Sequence, residues 1–225
     1  MVTSGSDRAP AAPAAPRELL ADRAYAELRD RLVTLRIQPG APIDEDLLGA
    51  ELQMGRTPVR EAIKRLALEN LVMVFPRRGT FASEINITDL NHISDVRMVL
   101  EGHAAARAAE RMTDGQRAEL QELLEELDRS EGSDDVEGLM ALDARVHRFI
   151  YRCAGNPYLE ETLTRYFNLS LRIWHLVIDR LPHLFARVHE HEDVLHAIAE
   201  GAPDRAKRML SKHIATFERE IRAVL

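Results

Sequence analysis

Apolar residues recur at every fourth position near the start of the chain, and this spacing predicts the first helix. Within residues 17–36, the positions that share one helix face are Leu20, Ala24, Leu28 and Leu32. The next segment, "IQPGAPI", contains two prolines and a glycine, which end the helix. A short second helix is expected within "DEDLLGAEL", whose acidic start suits the helix dipole. A third helix is expected over residues 56–69.

Two short apolar runs then change the pattern from helix to strand. The runs "LVMVF" and "TFASEI" flank "PRRG", in which Gly79 can supply a positive φ. The pattern predicts a β-hairpin with arginine at its tip. A short helix, a turn, a second helix and a hairpin form the layout of a winged helix-turn-helix. We place this domain at residues 17–83, followed by a linker at residues 84–88.

The remainder of the chain, residues 89–225, is helical with short breaks. Thr113 and Gln116 have the spacing of a capping box, and Pro157 and Pro203 mark helix starts. About six helices are expected, which gives an all-helical domain. The predicted fold class is therefore mainly α, with an N-terminal winged helix-turn-helix, a small β-hairpin wing and a C-terminal all-α helical bundle. By contrast, the Pro- and Ala-rich stretch before residue 17 (residues 1–16) predicts a disordered tail.

The distribution of charge separates the two predicted domains. The formal net charge of −7 argues, taken alone, against a nucleic-acid partner. Residues 17–83, however, hold 11 Lys and Arg against 10 Asp and Glu, whereas residues 84–225 hold 18 against 26. Such asymmetry indicates two domains with different partners. The single cysteine excludes an internal disulfide, and no apolar run approaches the roughly 20 residues that span a bilayer. Without a signal-peptide pattern, the chain is expected to be cytoplasmic and to have no membrane partner.

Residues 56–69 divide into two arcs when they are drawn as a helix. The apolar arc contains Val59, Ala62, Ile63 and Leu66. The opposite arc carries Arg56, Thr57 and Arg60, and Pro58 requires the helix to begin just before it. A helix N-terminus with two arginines suits contacts with phosphates and base edges. A solvated surface helix with ordinary basic residues would have the same two arcs.

Several short motifs surround this helix in a fixed order. They are "PG" after the first helix, "RTPVREA" in the third, "RL" one turn on, "LV" at the first strand and "RRGTF" at the hairpin tip. In this order they resemble the DNA-binding domain of the GntR family of bacterial transcription regulators. The resemblance covers about residues 17–83 and implies a winged helix-turn-helix that binds double-stranded operator DNA.

The resemblance also implies which side chains contact DNA. The candidates in the third helix and in the wing are Arg56, Thr57, Arg60, Arg77, Arg78 and Gly79. The wing residues would contact the DNA backbone or the minor groove. One departure is Gly55, where family members commonly have Ser. Glycine is a weaker helix N-cap than serine by a few tenths of a kcal/mol, so a Gly55→Ser substitution is predicted to stabilise the helix start.

Four polar residues of the C-terminal part share helix faces with apolar residues. Asp143 and His147 are four positions apart and border the apolar face of one helix. His191 and His213 lie on the apolar faces of the last two helices. Buried carboxylates and imidazoles carry a desolvation cost unless they are paired or bound to a metal. The pattern alone leaves two interpretations open: core residues that pair with one another, or a metal site.

The segments "VRMVLEGHAAARAA", "AGNPYL", "EHEDVLHAI" and "AIAEGAPDRAKRML" carry a second resemblance. Together they resemble the FCD-type effector domain of the FadR-like subgroup of GntR regulators, over about residues 89–222. The resemblance implies a divalent metal held by Asp143, His147, His191 and His213. Three imidazoles and a carboxylate suit zinc, nickel or manganese, of which zinc is the expected ion.

A small organic acid is the effector that this resemblance implies. Arg97, which with Glu101 occupies the Arg-x-x-x-Glu positions of the subgroup, could pair with its carboxylate in a bidentate manner. Arg172 is a second candidate because it lies on a polar stripe of its helix, although this stripe would also suit contact with solvent. The expected function is a ligand-responsive DNA-binding transcription regulator, in most cases a repressor, that acts as a homodimer.

An enzymatic function is the alternative. A metal-dependent hydrolase could use the aspartate and histidine centre to activate water. It would need a general base near an open metal position, and no motif supplies one. The DNA-binding pattern would also remain unexplained, so we expect that the chain is not an enzyme.

Overall fold

The computed structural model describes residues 17–180 and 184–225. The stretch predicted as a tail, residues 1–16, lies outside the described residues. Among the helices of the described part, none is both long enough and apolar enough to span a bilayer.

The chain divides into two compact units. The first contains Ala41–Ala82 and the described part of Met1–Asp30. The second contains Arg31–Gly40 and the described part of Ser83–Leu225. Residues Arg31–Gly40 therefore group with the second unit, although in the sequence they lie inside the predicted domain 17–83.

Three helices lie in the N-terminal part, as the apolar periodicity predicts. They are α1 (Arg17–Val33), α2 (Glu45–Glu51) and α3 (Arg56–Leu68). Asp44 caps α2, since its side chain accepts hydrogen bonds from the backbone N–H groups of Asp46 and Leu47. The buried face of α3 is the predicted arc, Val59, Ala62, Ile63 and Leu66.

The sheet of the first unit has one strand more than the sequence predicts. The strands β1 (Pro42–Ile43), β2 (Val72–Phe75) and β3 (Gly79–Ala82) are antiparallel in the order β1-β3-β2. The predicted hairpin is β2–β3. At its tip Gly79 has a φ of +103°, as anticipated, and Arg77 also has a positive φ of +64°. Strand β1 has only two residues, which is too short to leave a periodic signal.

Besides Arg31–Gly40, the described part of the second unit contains six α-helices and one short 3₁₀ turn (Ile178–Arg180). The α-helices are α4 (Asp89–Arg111), α5 (Asp114–Arg129), α6 (Val136–Cys153), α7 (Pro157–His175), α8 (Leu184–Ala199) and α9 (Pro203–Val224). The capping box of Thr113 and Gln116 is present, and Pro157 and Pro203 are in the first turns of their helices.

Helix α4 is the centre of this bundle. It packs along α9 most extensively and also contacts α6, α7 and α8. Its fully buried residues Ala104, Ala105 and Ala108 have small side chains, which allow neighbouring helices to approach closely. The mainly α fold class, with an N-terminal winged helix-turn-helix and a C-terminal helical domain, is confirmed. The faces of α6, α8 and α9 that lie around α4 carry the polar residues described next.

Candidate metal centre and nucleic-acid interface

Asp143, His147, His191 and His213 form one buried cluster. The first two lie one turn apart on α6, while His191 comes from α8 and His213 from α9. One potential ligand atom from each residue lies within 4.8 Å of the others. The structure thus brings together the four residues that the sequence analysis selected as metal ligands.

Each histidine of the cluster has a hydrogen-bond acceptor at its Nδ1 atom. The distances are 2.6 Å from His147 Nδ1 to Glu101 Oε2 and 2.9 Å from His191 Nδ1 to the Val188 carbonyl oxygen. His213 Nδ1 lies 3.0 Å from Glu190 Oε2. A carbonyl or carboxylate oxygen can only accept, so Nδ1 donates in each case. The unprotonated Nε2 atom then remains available to bind a metal.

The Nε2 atoms of His147 and His191 lie 3.1 Å apart. If Nδ1 is the protonated nitrogen of each neutral ring, two lone pairs face each other and no hydrogen bond can form between them. A cation between the rings would replace this repulsion with two favourable contacts. Asp143 adds a negative charge, since its Oδ1 atom is 3.9 Å from His147 Nε2. The donor set and its geometry fit a divalent metal.

Burial changes the protonation of the cluster. It lowers the pKa of His191 to about 4 and places the pKa of His213 well below its usual value. The pKa of His147 is also lowered by burial, although Glu101 acts in the opposite direction. Burial raises the pKa of Asp143, whose Oδ2 atom has no hydrogen-bond partner in the described part of the chain. Neutral imidazoles are the form that binds metals.

Arg97 reaches the cluster through Glu101. Its Nε atom donates a 2.5 Å hydrogen bond to Glu101 Oε1, and the other oxygen of Glu101 accepts from His147. Burial would raise the pKa of Glu101, but Arg97 and His147 outweigh it and hold this pKa at about 2. The Arg97 guanidinium also lies 5.0 Å from the ring centres of both Phe167 and Trp174. Glu101 is therefore a partner both of the candidate effector residue and of a candidate metal ligand.

A small cavity lies beside Arg97. Its volume is about 10 Å³, and its lining includes Arg97, Trp174 and His213. Such a volume holds about one water molecule. The Nη2 atom of Arg97 is buried and has no hydrogen-bond partner among the described residues. One donor of Arg97 is therefore available next to the cluster, while Nε is already bound to Glu101.

Arg172 has a different environment from the one predicted. It is buried, and its Nη2 atom donates a 2.6 Å hydrogen bond to the backbone carbonyl of Ser83. Burial lowers its pKa to about 10. Asn168 of the same predicted polar stripe is also buried, whereas His175 is half-buried. The structure does not bring Arg172 into the lining of the cavity beside Arg97.

The predicted DNA-contacting residues are all on the surface of the first unit. Gly55 caps α3 in an extended conformation without a side-chain hydrogen bond, and the helix begins at Arg56. The exposed set comprises Arg56, Thr57, Arg60, Arg77, Arg78 and Gly79. Arg78 lies over the ring of Phe75, at 5.7 Å from its centre.

Two acidic residues of α2 pair with the arginines of α3. Arg60 Nε lies 2.6 Å from Glu45 Oε2. Arg56 contacts both oxygens of Asp46, with Nε at 2.6 Å from Oδ1 and Nη2 at 2.8 Å from Oδ2. From the sequence alone, this acidic turn predicts only a favourable interaction with the helix dipole. The acceptors Val188 and Glu190 of the histidine cluster are not predictable from the sequence either, since a helical wheel does not show contacts between different helices.

Two family descriptions match the chain. "Bacterial regulatory proteins, gntR family" covers residues 20–82, and "FCD domain" covers residues 92–216. The chain belongs to the GntR family and carries an FCD domain. It is a transcriptional regulator with a DNA-binding helix-turn-helix and an FCD effector domain.

Similar proteins extend over most of the chain. The HTH-type transcriptional repressor RspR of Escherichia coli K12 is 23% identical over 209 residues, which cover 93% of this chain and 92% of that protein. The Nta operon transcriptional regulator of Aminobacter aminovorans is 30% identical over 190 residues, which cover 81% and 85%. Among solved structures, E. coli McbR/YncC has a TM-score of 0.79 at 25% identity and covers 91% of this chain and 97% of that one. The first two proteins are transcriptional regulators by name, and the third has the same fold as this chain.

Proposed function

We propose that this regulator binds operator DNA as a homodimer and responds to a small organic acid that binds beside a divalent metal, zinc, in the FCD domain. Repression in the cytoplasm that the acid relieves is the proposed mode of action. The observation that carries the proposal is the buried cluster of one carboxylate and three histidines, in which every histidine Nδ1 has an acceptor.

The chain's own residues would prepare the metal site. Glu101, Glu190 and the Val188 carbonyl orient the imidazole rings, and Asp143 supplies the negative charge. When bound, the ion would supply a Lewis-acid centre with open positions that a carboxylate oxygen can take. Zinc is the first expectation for this donor set, and nickel or manganese would also be compatible.

The metal proposal can be tested by elemental analysis of purified protein. Wild type is expected to contain about one ion per chain, whereas a His191→Ala, His213→Ala double variant should lose most of it. His196→Ala, on the exposed side of α8, is the matched control and should keep the ion. Equal metal content in all three proteins would contradict the proposal.

A milder variant keeps the metal proposal testable if the double variant does not fold. Glu190→Gln retains the shape of the side chain but weakens the acceptor of His213 Nδ1. Loss of such an outer contact typically lowers metal affinity about 10- to 100-fold. An unchanged affinity in competition with a chelator would contradict the assigned role of Glu190 and weaken the proposed site.

The effector proposal depends on the cavity next to Arg97. The unpartnered Nη2 atom could donate to one carboxylate oxygen of an acid, while the other oxygen binds the metal. The cavity of about 10 Å³ is too small for an organic acid. Binding would therefore require the surrounding helices to move, and this movement would couple the effector to the packing of the bundle.

A thermal-shift screen of organic acids tests this step. A ligand that binds only the folded protein raises the melting temperature. The expected result is a rise with a subset of carboxylic acids in metal-loaded protein, and no rise after treatment with a chelator. A rise of equal size in both states would show that the acid binds away from the metal.

The DNA proposal rests on the exposed arc of α3 and on the wing. In a dimer, two recognition helices about 34 Å apart would meet a two-fold site in successive major grooves. In vitro selection with the full protein would supply a binding site. Arg60→Ala is expected to lower affinity for that site about 10-fold or more, because a bidentate contact with a base is lost.

Arg129→Ala is the control for the DNA experiment. Arg129 is an exposed arginine of α5 in the other unit, and its loss changes the net charge by the same amount. Affinity for the selected site should remain within about twofold of wild type, because Arg129 is not among the proposed DNA-contacting residues and salt screens an exposed charge that makes no direct contact. If both variants bind equally well, the assignment of base readout to α3 is wrong.

The hydrolase alternative receives no support from the site. Among the described carboxylates beside the cluster, Glu101 and Glu190 accept hydrogen bonds from His147 and His213, and Glu218, which lines the cavity next to Arg97, accepts one from Arg222. These contacts occupy the groups that a hydrolase would need as a general base. The relatives named above are regulators as well.

A further inference from the structure

The first turn of α2 places two carboxylates against the two arginines of α3. Glu45 Oε2 lies 2.6 Å from Arg60 Nε, and Asp46 contacts Arg56 with both oxygens. The cap of α2 by Asp44 fixes the backbone of this turn. These contacts are side chain to side chain between the two helices of the helix-turn-helix. They therefore act directly on the groups proposed to contact DNA.

The contact with Glu45 leaves the outer edge of Arg60 available. A guanidinium has two edges that can form paired hydrogen bonds, and its terminal Nη1–Nη2 edge is the one farthest from the backbone. Glu45 uses only Nε. The terminal edge can then approach O6 and N7 of a guanine in the major groove. Glu45 would hold the arginine in a fixed direction without using the atoms that read the base.

The contact with Asp46 has the opposite consequence for Arg56. Asp46 takes Nε and Nη2 together, which is one complete hydrogen-bonding edge of the guanidinium. The carboxylate also neutralises the charge of Arg56 at the surface that would face phosphates. Contacts with phosphates supply most of the sequence-independent affinity for DNA. Asp46 is thus placed to reduce binding to any DNA, whatever its sequence.

We propose that these two acidic residues set the sequence specificity of the regulator. Glu45 is a positioning residue for base readout by Arg60, and Asp46 lowers the affinity for non-cognate DNA by holding Arg56. This inference rests on the proposed DNA contacts of α3. Specificity is a ratio of two affinities, so a residue can raise it by weakening the unwanted complex as well as by improving the wanted one.

The test uses the site selected in vitro with wild type, a scrambled sequence of equal length, and a series of duplexes that each change one base pair of the selected site. Dissociation constants are measured for all duplexes, and for the selected and scrambled sequences at several salt concentrations. The proteins are wild type, Glu45→Ala, Glu45→Gln, Asp46→Ala, Arg60→Ala and the Glu45→Ala, Arg60→Ala double variant. Glu51→Ala, which removes one charge from the end of the same helix, is the control.

Glu45→Ala is expected to lower the affinity ratio between selected and scrambled DNA about 10-fold, as loss of an oriented bidentate contact would. Glu45→Gln keeps an acceptor for Nε and should recover part of this ratio. The loss should be confined to the base pair at which Arg60→Ala loses discrimination, and the Glu45→Ala, Arg60→Ala double variant should lose no more than Arg60→Ala. A purely structural role would instead weaken discrimination at every base pair.

Asp46→Ala is expected to raise affinity for the scrambled duplex about 3- to 10-fold and to steepen the salt dependence by up to about 0.9 in log–log slope, the value for one additional phosphate contact. Glu51→Ala should change neither quantity by as much. If Glu51→Ala has the same effect as Asp46→Ala, net charge alone is responsible and the inference is overturned.

The two proposals fail in distinguishable ways. If Arg60→Ala leaves binding to the selected site unchanged, the proposed readout by α3 fails. If Arg60→Ala abolishes specific binding while the Glu45 variants keep the wild-type ratio at every base pair, the readout stands and the role of Glu45 is overturned.

Discussion

In the first unit Arg60 Nε lies 2.6 Å from a carboxylate oxygen of Glu45, and in the second unit Arg97 Nε lies 2.5 Å from one of Glu101. The two contacts have almost the same length and differ in their surroundings. The side chains of Arg60 and Glu45 are 58% and 28% exposed, whereas those of Arg97 and Glu101 are 2% and 0% exposed. The same pair of residue types, arginine and glutamate, thus lies at a surface proposed to bind DNA in one unit and in the core of the other.

Burial decides how much each ion pair contributes to the stability of its unit. Water screens an exposed pair, and such pairs typically contribute about 0–1 kcal/mol to stability. A buried pair has lost the hydration of both charges, and removing one partner leaves the other charge uncompensated. In the exposed pair, the terminal edge of Arg60 therefore remains open to a phosphate or a base while Nε stays with Glu45. The buried pair holds a fixed arrangement around the histidine cluster.

The largest expected effect is that of Glu101→Ala on the stability of the second unit. The variant leaves Arg97 buried without its carboxylate and His147 Nδ1 without its acceptor. We expect a loss of about 3–5 kcal/mol in the free energy of unfolding. Urea unfolding of metal-free protein, followed by the fluorescence of the single tryptophan, Trp174, would measure it.

Glu45→Ala is the matched exposed variant. Hydrogen exchange of the full protein is expected to show a change of less than about 1 kcal/mol in the amides of α3. A double variant, Arg97→Met with Glu101→Leu, should be more stable than Glu101→Ala, because the charge of Arg97 no longer remains buried without its partner. Similar losses for Glu101→Ala and Glu45→Ala would remove the basis of the comparison.

Arg172→Met is expected to have the next largest effect. Methionine fills part of the volume but leaves the Ser83 carbonyl without its hydrogen-bond donor. An unsatisfied buried acceptor costs about 1–3 kcal/mol. The loss should be smaller than for Glu101→Ala, since the variant removes a buried charge instead of leaving one behind. The same urea experiment measures it, with circular dichroism as a second signal because Trp174 is near Arg172 in sequence.

Arg129→Met provides the control for Arg172. Arg129 is exposed on α5, so its substitution should change the free energy of unfolding by less than about 0.5 kcal/mol. A higher free energy of unfolding in Arg172→Met would mean that the cost of burying the charge exceeds the stabilisation from the hydrogen bond to Ser83. In that case Arg172 would be retained for function and not for stability, unlike Arg97.

Local patterns in the sequence account for much of the fold. Pro58 and the apolar spacing of α3 predict where the helix begins and which face is buried, and both features are present. These predictions succeed because they depend on neighbours within one or two turns. Strand β1 was not predicted because its two residues form a strand only by pairing with β3 and show no periodicity of their own.

The candidate metal site was predictable in its members but not in its support. Helical wheels and the family resemblance selected the four cluster residues, and these residues lie together. The acceptors of their Nδ1 atoms could not be found in this way, because His147 and Glu101 are 46 positions apart and His213 and Glu190 are 23 apart. Such contacts depend on how separate helices pack.

The contact of Arg172 shows the same limit over a longer distance. Arg172 and Ser83 are 89 positions apart. A helical wheel ranks side chains only by the face they share, so it cannot distinguish a polar stripe in solvent from one in a core. The sequence therefore placed Arg172 among effector-binding candidates, whereas its described contact is with the backbone that follows β3.

The smallest expected effect lies at the start of α3. Gly55 caps this helix without a side-chain hydrogen bond, and a Cβ atom at this position would have no neighbour within 4 Å. Gly55→Ser is expected to stabilise the helix start by a few tenths of a kcal/mol, about the difference between these two caps. Gly55→Ala adds a Cβ without an acceptor and should bring no such gain. Hydrogen exchange of the first amides of α3 distinguishes the variants, and slower exchange in Gly55→Ala than in Gly55→Ser would show that capping is not the cause. Because the site is exposed, even a correct cap changes stability far less than one buried carboxylate in the second unit.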